Sequence, residues 1–180
     1  METTSSKPIN ILMDEHIEIM KVVDSFIEEA ESLKNGKELD KEFFKKAIDF
    51  IKNYADKFHH AKEEDILFKE FCKKESELHC NPVEQMLYEH DLGRGFVKKI
   101  QEGIDNNDKN LVIENSINYA ELLKQHIFKE DSILYPMADE VLDEKMKNKI
   151  LSRFKDIEKQ NKLKIKKYLE FAKIQEKNRR

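Results

Sequence analysis

A cassette of ten residues occurs twice in the chain, and it restricts the possible folds more than any other feature. Residues 59–68 read HHAKEEDILF and residues 126–135 read HIFKEDSILY. Each copy places a glutamate four residues after a histidine. In an α-helix of about 3.6 residues per turn, these two side chains project from one helix face. An imidazole and a carboxylate on one face form half of a metal site, so the repeat predicts two such halves.

A shorter repeated element precedes each cassette. Glu15-His16 lies before the first copy and Glu89-His90 before the second. We therefore predict that the repeated unit is a helical hairpin, with a histidine on its first helix and HxxxE on its second. Two hairpins that face each other would bring together four histidines and two glutamates, namely His16, His59, Glu63, His90, His126 and Glu130.

The composition is typical of long amphipathic helices. Charged residues make up 39% and apolar residues 39% of the 180 residues, with only four glycines and three prolines to interrupt them. Apolar residues recur at steps of three and four, which predicts an all-α chain with five helices. These begin near Ile9, after the capping residues Asp40, Asn81 and Asp108, and near Asp143; Pro136 should kink or end the fourth.

Several functional classes are excluded by charge and hydropathy. The net charge of -4 comes from intermixed signs, without the basic patch of a nucleic-acid-binding protein. No run approaches the ~20 apolar residues of a membrane span, and the N-terminus lacks the apolar core of a secretion signal. We therefore expect a cytoplasmic protein. Cys72 and Cys80 do not form a CxxC motif, and we expect two free thiols.

The histidines and glutamates of the repeats occupy positions on the apolar stripes, so a bundle would bury them. An unpaired buried ion costs several kcal/mol, and the stripes carry no Lys or Arg to compensate. A metal centre removes this difficulty. Nitrogen and oxygen donors without thiolate favour iron, manganese or zinc, and two carboxylates for four imidazoles suit a dinuclear site.

The chain resembles the hemerythrin-like, or HHE cation-binding, domain family from about Ile9 to Met137. The matching motifs are HxxxEEDILF in the second helix, EHDLGR in the third and HxxKEDSILYP in the fourth. The resemblance implies an up-and-down four-helix bundle, which we place at residues 1–142. The apolar stripe of the lysine-rich remainder predicts that residues 143–180 form an additional amphipathic helix packed on it. The resemblance also implies two iron ions with an oxo or hydroxo bridge, with zinc or manganese as alternatives. The implied ligands are His16 and His59 on one iron, His90 and His126 on the other, and Glu63 and Glu130 as bridges.

The chain departs from the oxygen-carrying branch of that family, which would have HxxxH in the third helix and HxxxxD in the fourth. Met86 and Arg94 flank His90 at four residues, so a fifth histidine is missing there and one iron keeps an open position. His60 could fill it, because some iron-sensing relatives place a ligand directly after the histidine of the second helix. Asp131 stands where the carriers have aspartate, but the repeat aligns Glu130 with Glu63, and we prefer Glu130.

Three functional classes stay open on sequence alone. The first is a module that binds or senses dioxygen, nitric oxide or iron itself. The second is a small di-iron oxidoreductase that reduces peroxide or nitric oxide, or donates iron for iron-sulphur repair. The third is a bundle that a metal merely stabilises. In each case we expect Glu64, Glu89 and Asp131 to be solvated or to accept a proton from a ligand imidazole.

Overall fold

A computed structural model describes residues 5–74 and 81–178, and within these ranges the chain forms helices and no strand. The prediction of an all-α fold is confirmed. Helix α1 spans Lys7–Lys34 and is closed by Asn35, after which Gly36 adopts a φ of 95° that suits glycine. The first helix thus ends at the Asn35-Gly36 turn.

Helix α2 runs over residues 41–74 and changes its hydrogen bonding along the way. The Asp40 carboxylate accepts a hydrogen bond from the Phe43 N–H, as a capping residue does. The helix is then built of α-helical and π-helical segments: Lys41–Phe50 (α), Ile51–His60 (π), Glu63–Leu67 (π) and Phe68–Lys74 (α). A π-helix has i→i+5 hydrogen bonds and a wider turn, and π segments occur frequently at functional sites. The first cassette thus departs from the regular α-helix that its spacing predicts.

Helices α3 and α4 form the second hairpin. Helix α3 spans Asn81–Asn106; the residues before it lie outside the described ranges, so the predicted cap at Asn81 is not visible. Helix α4 covers residues 109–141 and is capped by Asp108, as predicted; its segments are Lys109–Lys129 (α), Glu130–Leu134 (π) and Tyr135–Val141 (α). Pro136 does not end this helix, because it stands in the first turn of an α-helical segment, where proline is tolerated.

Helix α5, Glu144–Asn178, is the additional C-terminal helix that the sequence predicts, and it packs along α1. Its buried side chains reach both ends of the bundle. Ile150 and Phe154 join one apolar cluster, while Tyr168 and Ala172 join the other. The helix therefore covers one side of the bundle along most of its length.

The bundle interior consists of two apolar clusters with a polar layer between them. One cluster contains Phe26, Phe44 and Ile104, and the other contains Leu12, Phe71 and Leu134. The polar layer crosses α1, α2, α3 and α4 at the positions of the repeated histidines and glutamates. Apolar packing on both sides of this layer holds its helices in place.

Two further observations concern expectations from the sequence. Cys72 is disulfide-bonded, so the expectation of two free thiols is wrong for this residue, while Cys80 lies outside the described residues. Among the described residues, no helix is both long and apolar enough to cross a lipid bilayer.

Candidate metal centre

The polar layer contains two adjoining groups of potential metal ligands. Within each group, one donor atom per residue lies within 4.8 Å of the others. Every member is buried, and Glu63 and Glu130 are 0% exposed. The first group is His16, His59, Glu63 and Glu130, and the second group is His60, His90 and His126.

Short distances connect the two groups through the carboxylates. Glu130 Oε2 lies 3.3 Å from His16 Nε2 in the first group and 3.1 Å from His126 Nε2 in the second. Glu63 Oε2 lies 3.6 Å from His59 Nε2 and 3.7 Å from His90 Nε2. Each carboxylate thus faces imidazoles of both groups, which is the placement that a bridging ligand requires.

His60 lies with His90 and His126 rather than on the outside of the bundle. Its ring stacks on that of His90 with 3.7 Å between centroids and 13° between planes. A regular α-helix would put His60 about 100° around from His59. Both residues lie in the π-helical segment Ile51–His60, where the wider turn means a smaller rotation per residue, so both imidazoles face inward.

Glu130 and Asp131 take different places. The Glu130 carboxylate lies inside the layer, whereas Asp131 accepts a hydrogen bond at 2.8 Å from Nδ1–H of His16 on the outer side of that ring. The structure therefore brings Glu130, and not Asp131, among the candidate ligands.

A carboxylate supports each of the four imidazoles that the repeats carry. The hydrogen bonds from Nδ1–H are 2.8–2.9 Å long and pair His16 with Asp131, His59 with Glu15, His90 with Glu64, and His126 with Glu89. Such a bond selects the tautomer whose Nε2 lone pair faces the interior. The expectation for Glu64, Glu89 and Asp131 is thus met. Glu15 was missed, although it precedes His16 as Glu89 precedes His90.

Cations in turn compensate three of these outer carboxylates. Lys62 is 0% exposed and donates to Glu15 at 2.5 Å and to Glu158 of α5 at 3.0 Å. Arg94 donates to Glu64, and Lys129 donates to Glu89. The sequence argument that no Lys or Arg compensates the two inner carboxylates holds. Glu63 and Glu130 form no ion pair with a Lys or Arg in the described part of the chain.

The two buried carboxylates of the layer would be stabilised by a nearby positive charge. Burial and the neighbouring Glu130 carboxylate raise the pKa of Glu63 well above its usual range. Burial opposes the ionised form of Glu130 too, but the imidazoles of His126 and His16 hold its pKa well below the usual range. Burial and the nearby imidazoles lower the pKa of His59 far below normal, which keeps this ring neutral and able to ligate.

Several potential donor atoms in the layer have no hydrogen-bond partner, and these atoms show whether a cation would fit there. His59 Nε2, Glu63 Oε2 and both carboxylate oxygens of Glu130 are buried without a hydrogen bond. In addition, His90 Nε2 and His126 Nε2 lie 3.0 Å apart, although the Nδ1–H group of each ring already donates to a carboxylate. Two facing lone pairs at this distance need a proton or a metal between them. The arrangement fits cations held by nitrogen and oxygen donors.

A cavity of about 290 Å³ adjoins the second group only. His60, His90 and His126 form part of its wall, and none of the four residues of the first group does. On the first group, Tyr135 takes up space instead, and its O–H donates to Glu63 Oε1 at 2.5 Å. A second cavity, of about 550 Å³, touches the first group at His16 alone, so three imidazoles of the second group but only one of the first adjoin a cavity.

The fold and the buried layer define a helical bundle with a His/carboxylate site that could hold metal ions. A family model described as the hemerythrin HHE cation binding domain matches residues 7–138. The match covers most of the chain, so the protein belongs to this family, as its sequence motifs predicted. No curated protein and no solved structure matches the chain.

Proposed function

We propose that the chain is a non-haem di-iron protein that binds or senses a small ligand at the layer between the two apolar clusters. In this proposal His16 and His59 hold one iron, His60, His90 and His126 hold the other, and Glu63 and Glu130 bridge them. The observation that carries the proposal is the convergence of unpartnered Nε2 and carboxylate oxygen atoms in a buried layer, with a carboxylate behind each of four imidazoles.

We favour iron over other metals because the donor types and the family together point to it. Neutral imidazoles and carboxylates without a thiolate also suit zinc and manganese. Helical bundles with histidines and glutamates facing inward are a common scaffold for di-iron centres. When bound, an iron pair would supply redox chemistry and a position for a small ligand.

The protein residues orient the centre and control what reaches it. The four outer carboxylates, including Glu15 and Glu89, hold the imidazole rings in the orientation for binding metal. Tyr135 holds a proton against Glu63 Oε1. The cavity beside His60 and His90 offers a path for dioxygen, nitric oxide or peroxide to the second group. In the first group, only His16 adjoins a cavity among the described residues.

A small di-iron oxidoreductase is the second candidate function, and the same cavity favours it. A path between the outside and His90 would let peroxide or nitric oxide be exchanged repeatedly. Mixing the reduced protein anaerobically with oxygen, peroxide or nitric oxide separates the two functions. A stable adduct supports binding or sensing, and multiple turnovers with a reductant support catalysis.

The bridging glutamates provide the decisive test of the metal centre. The Glu63→Ala/Glu130→Ala double variant should lose dinuclear loading and remain largely helical, because both apolar clusters stay intact. Metal analysis after iron-replete expression should find about two irons per chain in the wild-type protein, with the absorption of an oxo-bridged ferric pair. Full iron content in the double variant would contradict the bridging roles, and one zinc without iron in the wild type would favour a purely structural metal.

A further inference from the structure

The cavity beside the second histidine group extends far beyond the space that a diatomic ligand needs. It lies between α2, α3 and α4. From His90 and His126 its walls continue to Val97 and Tyr119, each seven residues away along its helix. Seven residues are about two helical turns, or roughly 11 Å. A volume of about 290 Å³ is large beside the roughly 30 Å³ that a water molecule occupies in the liquid.

Gly93 lines this space without a side chain of its own, at a cost to its helix. The repeat relates His90 to His16, so Gly93 of α3 corresponds to Ile19 of α1, which is buried and fills its position. A glycine within a helix is about 1 kcal/mol less favourable than alanine. A Cβ atom on Gly93 would lie 3.6 Å from Tyr119 Cε2, an ordinary contact, so close packing of the helices does not require glycine here. The missing side chain therefore leaves room beside Tyr119 and Leu122 that an isoleucine, as in the other half, would occupy.

The cavity wall is mostly apolar, and two exposed lysines lie at its outer edge. Val97, Tyr119 and Leu123 supply apolar surface between the histidines and the far end. At the outer edge, Lys52 and Lys57 are exposed, and neither forms an ion pair with another described residue.

The other charged side chains of the wall form ion pairs. Arg94 donates to Asp56, Glu64 and Asp91, and Glu89 accepts from Lys129. Lys52 and Lys57 are the lysines of the wall, with Lys52 at the end away from the histidines.

We propose that this cavity binds an elongated organic anion, with its acidic group at Lys52 and Lys57 and its alkyl chain directed toward His60, His90 and His126. Medium-chain carboxylates have this shape and charge. This inference rests on the proposed function in one respect: the alkyl end of the bound anion would lie next to the iron proposed for the second histidine group. Occupancy of the cavity can nevertheless be measured separately from metal content.

Isothermal titration of the iron-loaded protein with octanoate, octanol and octylammonium tests this ligand class. Octanoate should bind once per chain, octanol about three- to tenfold more weakly, and octylammonium not measurably, because one or two lysine contacts are worth about 0.7–1.4 kcal/mol. The Lys52→Ala/Lys57→Ala variant should bind octanoate no better than octanol. If octanoate keeps its advantage in that variant, the carboxylate binds elsewhere and the proposal is wrong.

The Gly93→Ile variant reproduces the residue of the other half and tests the location. It should reduce octanoate binding at least tenfold, while its iron content and helical circular dichroism stay at the wild-type level. Gly95→Ala is the matched control, because a Cβ there meets no atom within 4 Å, and it should bind octanoate normally. Undiminished binding in Gly93→Ile would overturn the proposal. If the wild-type protein contains no iron but still binds octanoate, the proposed function is wrong and the proposed anion site is not.

Discussion

The two halves of the bundle, α1 with α2 and α3 with α4, repeat the same arrangement of polar side chains. The hydrogen bond from His59 to Glu15 has its equivalent in the bond from His126 to Glu89, at 2.9 Å in both cases. The cations match too: Lys62 and Lys129 occupy the same cassette position and pair with these two glutamates. A repeated sequence thus provides the framework of both histidine pairs.

The halves differ at the few positions that control access. His60 of the first cassette corresponds to Ile127 of the second, and only His60 can ligate. Tyr135 of the second cassette corresponds to Phe68 of the first, and only Tyr135 donates a hydrogen bond into the layer. Together with Gly93, these differences give one group an additional imidazole and a cavity lined by three imidazoles, whereas the other group adjoins a cavity only at His16 among the described residues. The comparison shows how a repeated scaffold can carry two unequal groups of candidate metal ligands.

The largest effect is expected from removing the additional imidazole. His60→Ile makes the first cassette match the second at this position and leaves His90 and His126 as the only imidazoles of their group. Iron content should fall from about two toward one per chain, since a vacant ligand position weakens a metal site strongly. Plasma emission spectroscopy of the purified protein measures this. Ile127→Leu is the matched control, and equal iron content in both variants would show that His60 is not a ligand.

A smaller difference is expected between the two supporting glutamates. Glu15→Ala leaves the buried Lys62 with Glu158 alone and should lower the free energy of unfolding of the metal-free protein by about 3 kcal/mol. Glu89→Ala should cost only about 1 kcal/mol, because the side chain of Lys129 is 32% exposed and water can solvate it. Urea denaturation of the two variants compares them directly. Equal losses would mean that the burial of Lys62 has no energetic consequence.

The smallest effect concerns Arg94, whose equivalent in the first half is Met20. Burial opposes ionisation of Asp56, but its contacts with His60 and Arg94 lower its pKa to about 2. The hydrogen bond from His90, together with that from Arg94, lowers the pKa of Glu64 to about 2. Because both pKa values are lowered on folding, this stabilisation is present above pH ~4.5 and is lost as the pH falls toward 2.

Arg94→Gln should therefore cost about 1 kcal/mol at pH 7 and almost nothing near pH 2, as measured by urea denaturation across this range. Met20→Gln should show no such pH dependence relative to the wild type. A constant difference between Arg94→Gln and the wild type at all pH values would contradict the assigned ion pairs.

Much of the fold could be predicted because its signals are local. Asp40 and Asp108 cap the helices that they were predicted to cap, and the apolar stripes mark the faces that pack in the two clusters. The candidate ligands on those stripes were found for the same reason. Glu15 was missed because the importance of a residue beside a stripe depends on which imidazole it meets across the bundle.

The sequence by itself determined the helical class, the family, and the inward position of His16, His59, His90 and His126, because helix periodicity and a duplicated motif act within one helix. Only the tertiary structure decided that His60 joins the layer, that Lys62 is buried and that three imidazoles of one group line a cavity. These features depend on π-helical turns and on side chains from three or four helices meeting in one place, which no spacing within a single helix specifies.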